Sequence, residues 1–231
     1  MRILSFIFMI ALSVSVAAQT ARQTFEAGTR AAQNAQYESA LENYRTSLAS
    51  SEIEKTNGEF RAKIHFNIGV CLFHLRQTAE AVIEFKKAIA LDGDYQKAFY
   101  ALGMAESESK NWRNAREALQ TAVGLKKTDG EAWFDLGLVL TEEKNFEAAR
   151  AAFENSIRYK TIAATDAHNN IGVIFALKGD FDSAEKEFRA ALQLSAGKSV
   201  EAQNNLQICR VYRQNSLQTP KLQFSGASKA E

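Results

Sequence analysis

Proline is almost missing from this chain: Pro220 is the only one among 231 residues. Without the strongest helix breaker, and with Ala, Leu, Glu and Lys throughout, the chain leans all-helical. Cysteine is scarce as well. Cys71 and Cys209 are too few and too far apart to staple a small disulfide framework. Charge of one sign is not in excess: 28 basic residues stand against 27 acidic ones, and residues 1–18 account for only one of them, Arg2. That balance excludes a surface built to condense on phosphates, so no nucleic-acid partner is expected. The longest apolar run, Ile3 to Val16, is shorter than the roughly 20 residues of a spanning helix.

Signals of chemistry are lacking too. His65, His74 and His168 form no i, i+4 metal pair and no HExxH. Glycines come singly, without a phosphate-cradling loop, and no Ser lies in a G-x-S-x-G. Glu142-Glu143 reads as a solvated helix end. No enzyme activity, cofactor or metal is expected.

At the N-terminus, Arg2 precedes the apolar run, and Val16-Ala17-Ala18 precedes Gln19. Small residues one and three places before a cut fit a signal peptide over 1–18. Cleavage would leave no stable membrane span and would place the protein in the periplasm or outside the cell.

The dominant feature is a repeat. Gly28, Gly69, Gly103, Gly137 and Gly172 recur at spacings of 41, 34, 34 and 35. Twelve residues after each stands an Ala (Ala40, Ala81, Ala115, Ala149, Ala184), and sixteen after each a large apolar residue (Tyr44, Phe85, Leu119, Phe153, Phe188). Each unit is long enough for two helices joined by a short turn, such as Glu143 to Phe146 or Lys178 to Phe181. A recurring Gly inside a helix implies close approach by another backbone; the Ala on the second helix is expected to face it, with the large residue beside the contact. One such hairpin cannot bury its own apolar faces, so neighbours must stack. The expected divisions are repeats at about 21–58, 62–95, 96–129, 130–164 and 165–198, then a cap helix at 199–215 with Gln207 in the Gly place. Residues 216–231, holding Pro220, Gly226 and several Ser, read as a disordered tail. The first junction is longer, which implies extended helices or a loop at Asn57-Gly58. Cys71 and Cys209 fall at equivalent places four repeats apart, so no bridge between them is expected.

The pattern resembles the tetratricopeptide repeat, whose Trp, Leu-Gly, Ala and Phe signature is matched by Trp133, Leu136, Gly137, Ala149 and Phe153. His65 and His168 take the Trp place, where a packing role is expected. The resemblance implies an all-α, right-handed superhelical solenoid of antiparallel helix hairpins over 19–215, acting as a non-catalytic scaffold. Its first helices would line a concave groove that takes a peptide or partner protein. Groove places lie six, three and two before the Gly and one after it. The candidates so placed are Phe66, Asn67, Val70, Lys97, Tyr100, Met104, Phe134, Leu138, Asn170 and Val173. Asn67, Asn170 and, in the cap, Asn205 share one place, where an amide can both donate to and accept from an extended backbone. Six before the Gly, Arg22, Lys63 and Lys97 give way to Glu131, Asp166 and Glu201, so an acidic end of the ligand would lie toward the N-terminal repeats. The carboxylate clamp of some relatives is incomplete, with Phe25 and Ala101 at its Lys and Arg places; chaperone-type acidic C-termini are not expected to bind. The alternative is a structural subunit or assembly chaperone of a cell-envelope complex; self-association is left open.

Overall fold

The structure is a computed structural model and describes residues 21–53, 56–214 and 221–226. The expected signal peptide lies outside the described residues. Among those residues all regular secondary structure is helical: α1 covers 21–33, then come α2 (Tyr37–Ile53), α3 (Gly58–His74), α4 (Thr78–Leu91), α5 (Gln96–Glu108), α6 (Trp112–Leu125), α7 (Gly130–Glu142), α8 (Phe146–Arg158), α9 (Ala164–Leu177), α10 (Phe181–Leu194) and α11 (Val200–Gln214). They fall into two compact units, Met1–Asn111 with α1–α5 and Trp112–Glu231 with α6–α11.

The turns inside the hairpins share one chemistry. Seven residues after each recurring Gly, the chain adopts positive φ, at Ala35, Arg76, Lys110, Lys144 and Gly179. The next residue's N–H then reaches back to the last turn of the first helix: Gln77 to the Leu72 carbonyl at 2.9 Å, Asn145 to Leu140 at 2.9 Å, Asp180 to Phe175 at 3.0 Å. This is the Schellman termination, which satisfies carbonyls that the helix leaves without a partner. The same residue can open the next helix. Asn145 and Asp180 accept from the backbone N–H of Ala148 and Ser183.

The recurring glycines do meet a neighbour, but not the one expected. A Cβ on Gly69 would lie 2.6 Å from the Phe85 ring, on Gly137 2.5 Å from Phe153, and on Gly172 2.6 Å from Phe188. The tight contact is therefore with the aromatic face sixteen residues on. The Ala twelve residues on is fully buried in every repeat, yet it is not what excludes a side chain at these three glycines. A flat ring laid on a bare backbone joins the two helices of the hairpin over a large apolar area. The long first junction is absorbed mainly by lengthening helices: α2 and α3 each have 17 residues, against 13 or 14 for α4–α10. Asn57 caps α3 by accepting from the Phe60 N–H at 3.0 Å.

His65 and His168 do more than fill the Trp place. Each bonds a Glu nineteen residues on, His65 to Glu84 at 2.6 Å and His168 to Glu187 at 2.7 Å, linking the two helices of a hairpin. Burial alone would raise the Glu84 carboxyl, but hydrogen bonds from His65 and Lys87 outweigh it and hold it below its ordinary value.

In the second unit α11 closes the last hairpin, with Leu206 and Cys209 buried among Val173, Ala176, Ala184 and Phe188. Residues 221–226 then return as a non-helical segment onto α7, α9 and α11. A tail read as disordered is here held in place over six residues. Buried side-chain amides pair with its backbone, and Leu222 and Phe224 pack against the apolar cluster of α9–α11.

Candidate peptide-binding site

Helical spacing builds the site. On α9, Asp166, Asn169, Asn170 and Val173 stand at i, i+3, i+4 and i+7 and so share one face; on α11, Ala202, Asn205, Leu206 and Cys209 repeat that spacing. On α7, Phe134 and Leu138 are one turn apart. These faces meet the segment Lys221–Gly226.

Asn170 donates to the Ser225 carbonyl at 2.8 Å and accepts from the Ser225 N–H at 2.6 Å. Asn205 does the same to Gln223, donating to its carbonyl at 2.8 Å and accepting from its N–H at 3.0 Å. Residues two apart present their backbone groups to the same side, the pattern of one edge of an extended strand. Asn169 ties the two amides together. It accepts from Asn205 at 2.9 Å and donates to the Gln223 carbonyl at 3.0 Å and to the Ser225 hydroxyl at 2.9 Å. All three Asn are fully buried beneath the segment. Buried amides left without partners would each cost about 1–3 kcal/mol; here the backbone of Gln223 and Ser225 supplies those partners.

Side chains are read as well. Ser225 is 5% exposed, and its hydroxyl also bonds the Asp166 carboxylate. Burial raises the Asp166 carboxyl above its ordinary value; the Ser225 bond opposes this, and the nearby Glu201 charge adds to the rise. The Phe224 ring lies parallel to that of Phe146, with centroids 6.4 Å apart. Gly226 sits at φ +75°, and a Cβ there would approach the Phe134 ring closely, at 3.1 Å.

Four of the ten residues proposed from the sequence gather here. Phe134 and Leu138 lie beside Gly226, Asn170 grips Ser225, and Val173 belongs to the cluster beneath Leu222 and Phe224. Phe134, Asn170 and Val173 are buried. The other six belong to the first unit. Phe66 is half-buried between Phe85 and Tyr95, with ring centroids 6.0 and 5.1 Å away. Asn67 donates to the Lys63 carbonyl of its own helix at 2.8 Å. Val70, Tyr100 and Met104 are half-buried and Lys97 is exposed. Asn169, Asn205, Asp166 and Phe146 were not among the ten. The two Asn did lie on groove registers, so the alignment could have found them; nothing in the sequence marked Phe146 or the tail itself.

The thiols are not poised for chemistry. Burial pushes Cys71 and Cys209 up to about 11, so both are protonated at neutral pH. Among the described residues no group of three or more His, Cys, Asp or Glu is placed to hold a metal, and no helix is long and apolar enough to cross a membrane.

Paired helices whose first members present amides to an extended backbone define a helical-repeat interaction protein. The chain belongs to the tetratricopeptide repeat family, which it matches over residues 25–95, 100–158 and 144–199. A curated relative, the DnaJ homolog subfamily C member 7 homolog of Schizosaccharomyces pombe, is 29% identical over 93 residues, 40% of this chain and 19% of that protein. The chain thus spans about a fifth of that relative's length. Among solved structures, MamA is 25% identical with a TM-score of 0.66, over 74% of this chain and 96% of that one. YrrB, described as a TPR protein with an unusual peptide-binding site, is 21% identical with a TM-score of 0.65, over 83% and 90%. These likenesses establish the fold.

Proposed function

We propose that this protein is a non-catalytic interaction module whose α7, α9 and α11 face binds an extended segment of a partner protein. The fold is one that serves protein–protein interaction. The observation that carries the finer reading is the paired grip of Asn170 and Asn205 on the backbone of residues two apart. Such bonds are indifferent to side chains, while Phe134, Leu138 and Phe146 add apolar contact. The preformed helices lose little entropy on binding. The proposal keeps the setting expected from residues 1–18, the periplasm or the cell exterior.

Selection of peptides from a displayed random library on the full chain tests this. Peptides retained by the wild type and lost on Asn170→Ala/Asn205→Ala support the reading. Peptides held equally by both proteins would place binding elsewhere and sink it.

A further inference from the structure

The segment that reveals the site is part of the chain. Residues 215–220 join Gln214, the end of α11, to Lys221. A short tether holds a ligand at an effective concentration on the order of millimolar. Any outside peptide therefore meets a site already matched by Lys221–Gly226.

The fit is also more selective than backbone pairing requires. The Ser225 hydroxyl is buried, accepts from Asn169 at 2.9 Å and lies beside the Asp166 carboxylate. Thr or Ala there would crowd the space or leave a buried group unmatched, and a phosphorylated Ser would set its charge against Asp166. At the next position the positive φ and the close approach of Phe134 both favour Gly. Leu222 and Phe224 supply the apolar part, while Gln223 is exposed and unconstrained beyond its backbone. The acids Glu131, Asp166 and Glu201 stand in the first turns of the three helices, which disfavours an acidic ligand at this end.

We propose that Lys221–Gly226 is a built-in competitor, and that the partner carries the same apolar–any–Phe–Ser–Gly pattern in an extended segment and enters by displacing it. This rests on the reading of the α7, α9 and α11 face as a peptide site. Tethering lowers the apparent affinity for the partner in proportion to the fraction of chains whose tail is docked. The tail thereby sets a threshold: weak or mismatched segments are excluded and a matched one is admitted.

The test uses full-length protein and a fluorescein-labelled KLQFSG peptide followed by polarisation. Ser225→Asp releases the tail without touching the groove, and Gly226→Val serves as a second release. Expected is binding at least ~10-fold tighter to either released variant than to the wild type, abolished when Asn170→Ala is added. Equal binding to wild type and released variants, still lost with Asn170→Ala, overturns the competitor and leaves the peptide site standing. No binding to any variant removes both. Binding that survives Asn170→Ala in a released variant puts the probe elsewhere and also overturns the proposal. Sedimentation of the wild type over a wide concentration range guards the tether argument: a mass that rises with concentration, and stays low in Ser225→Asp, would mean that the segment docks into a second copy.

Discussion

Asn67 in the first unit and Asn170 in the second occupy the same place in their repeats, yet their amides do different things. Asn67 turns back to the Lys63 carbonyl one turn earlier in its own helix. Asn170 points outward and grips a peptide unit from both sides. What differs is the company. The residue before Asn67 is Phe66, and the equivalent place in the next repeat is Ala101; the residue before Asn170 is Asn169, and the next equivalent place is Asn205. A single amide at this register can satisfy itself locally. Two in consecutive first helices, bridged by a third, match backbone groups two residues apart on an extended chain. The ladder, not the lone residue, holds the segment.

The largest effects should show that the two units share their packing and differ only in their use. Phe85 and Phe188 are both essentially buried and both lie on a glycine of the facing helix. Truncating either to Ala removes a fully packed ring and should cost about 3–5 kcal/mol, read as a drop in the urea midpoint. Hydrogen exchange then separates them. Phe188→Ala also undermines the cluster beneath Leu222 and Phe224, and should strip protection from the Gln223 and Ser225 amides. Phe85→Ala should leave that protection alone. If both variants loosened the tail equally, the division of labour between the units would fail.

Next in size is the amide comparison itself. Asn170→Ala deletes both hydrogen bonds to the Ser225 backbone and leaves its N–H and carbonyl without partners, a loss of about 2–3 kcal/mol from the docked tail. Protection of the Ser225 amide should fall roughly 100-fold. Asn67→Ala should change it by less than a factor of about 2, since its amide is spent on a carbonyl of its own helix. Equal losses would show that Asn67 also supports the tail.

The glycines sharpen the same contrast at a smaller scale. Gly179 and Gly226 both have positive φ, but nothing lies within 4 Å of a Cβ placed on Gly179, whereas Phe134 crowds one on Gly226. Ala at either position should cost about 1–2 kcal/mol for the backbone conformation. At Gly179 the cost falls on the urea midpoint of the second unit, and the other turns already carry Ala, Arg and Lys at that place. At Gly226 it falls on tail docking alone. A shifted midpoint in Gly226→Ala would mean that the tail is part of the core and not a ligand.

These expectations also mark where sequence reading succeeds and stops. The hairpins were legible because Gly, Ala and a large apolar residue recur at fixed offsets, and each offset reports one contact. Which contact it reports was less clear: offset alone does not distinguish the Ala methyl from the ring of Phe153 as the neighbour of Gly137, since both lie on the facing helix. Asn170 and Asn205 were legible as amides at one of the groove places that the family resemblance implies. Their ligand was not. Lys221–Gly226 has no periodicity and sits among Ser and Gly near a terminus, and its order comes wholly from partners such as Asn170, 55 residues away. Short-range composition carries no trace of such a contact.

The smallest expected effect concerns the hairpin staples that both units possess. Hydrogen bonds from His65 and Lys87 hold the Glu84 carboxyl below its ordinary value against the opposing effect of burial. A lowered folded-state value means that the stabilising contribution is present above the ordinary carboxylate range and disappears as pH falls through the lowered value. Glu84→Gln should therefore reduce stability at neutral pH, by less than about 1 kcal/mol for a partly solvated pair, and make the acid limb of the stability curve shallower. Thermal melts across the acid range measure both. The tail should not respond, because Glu84 belongs to the first unit and the Asn ladder to the second. A Gln223 or Ser225 amide that lost protection in Glu84→Gln would show that the units are energetically coupled, and the contrast between Asn67 and Asn170 would then not trace to the two faces alone.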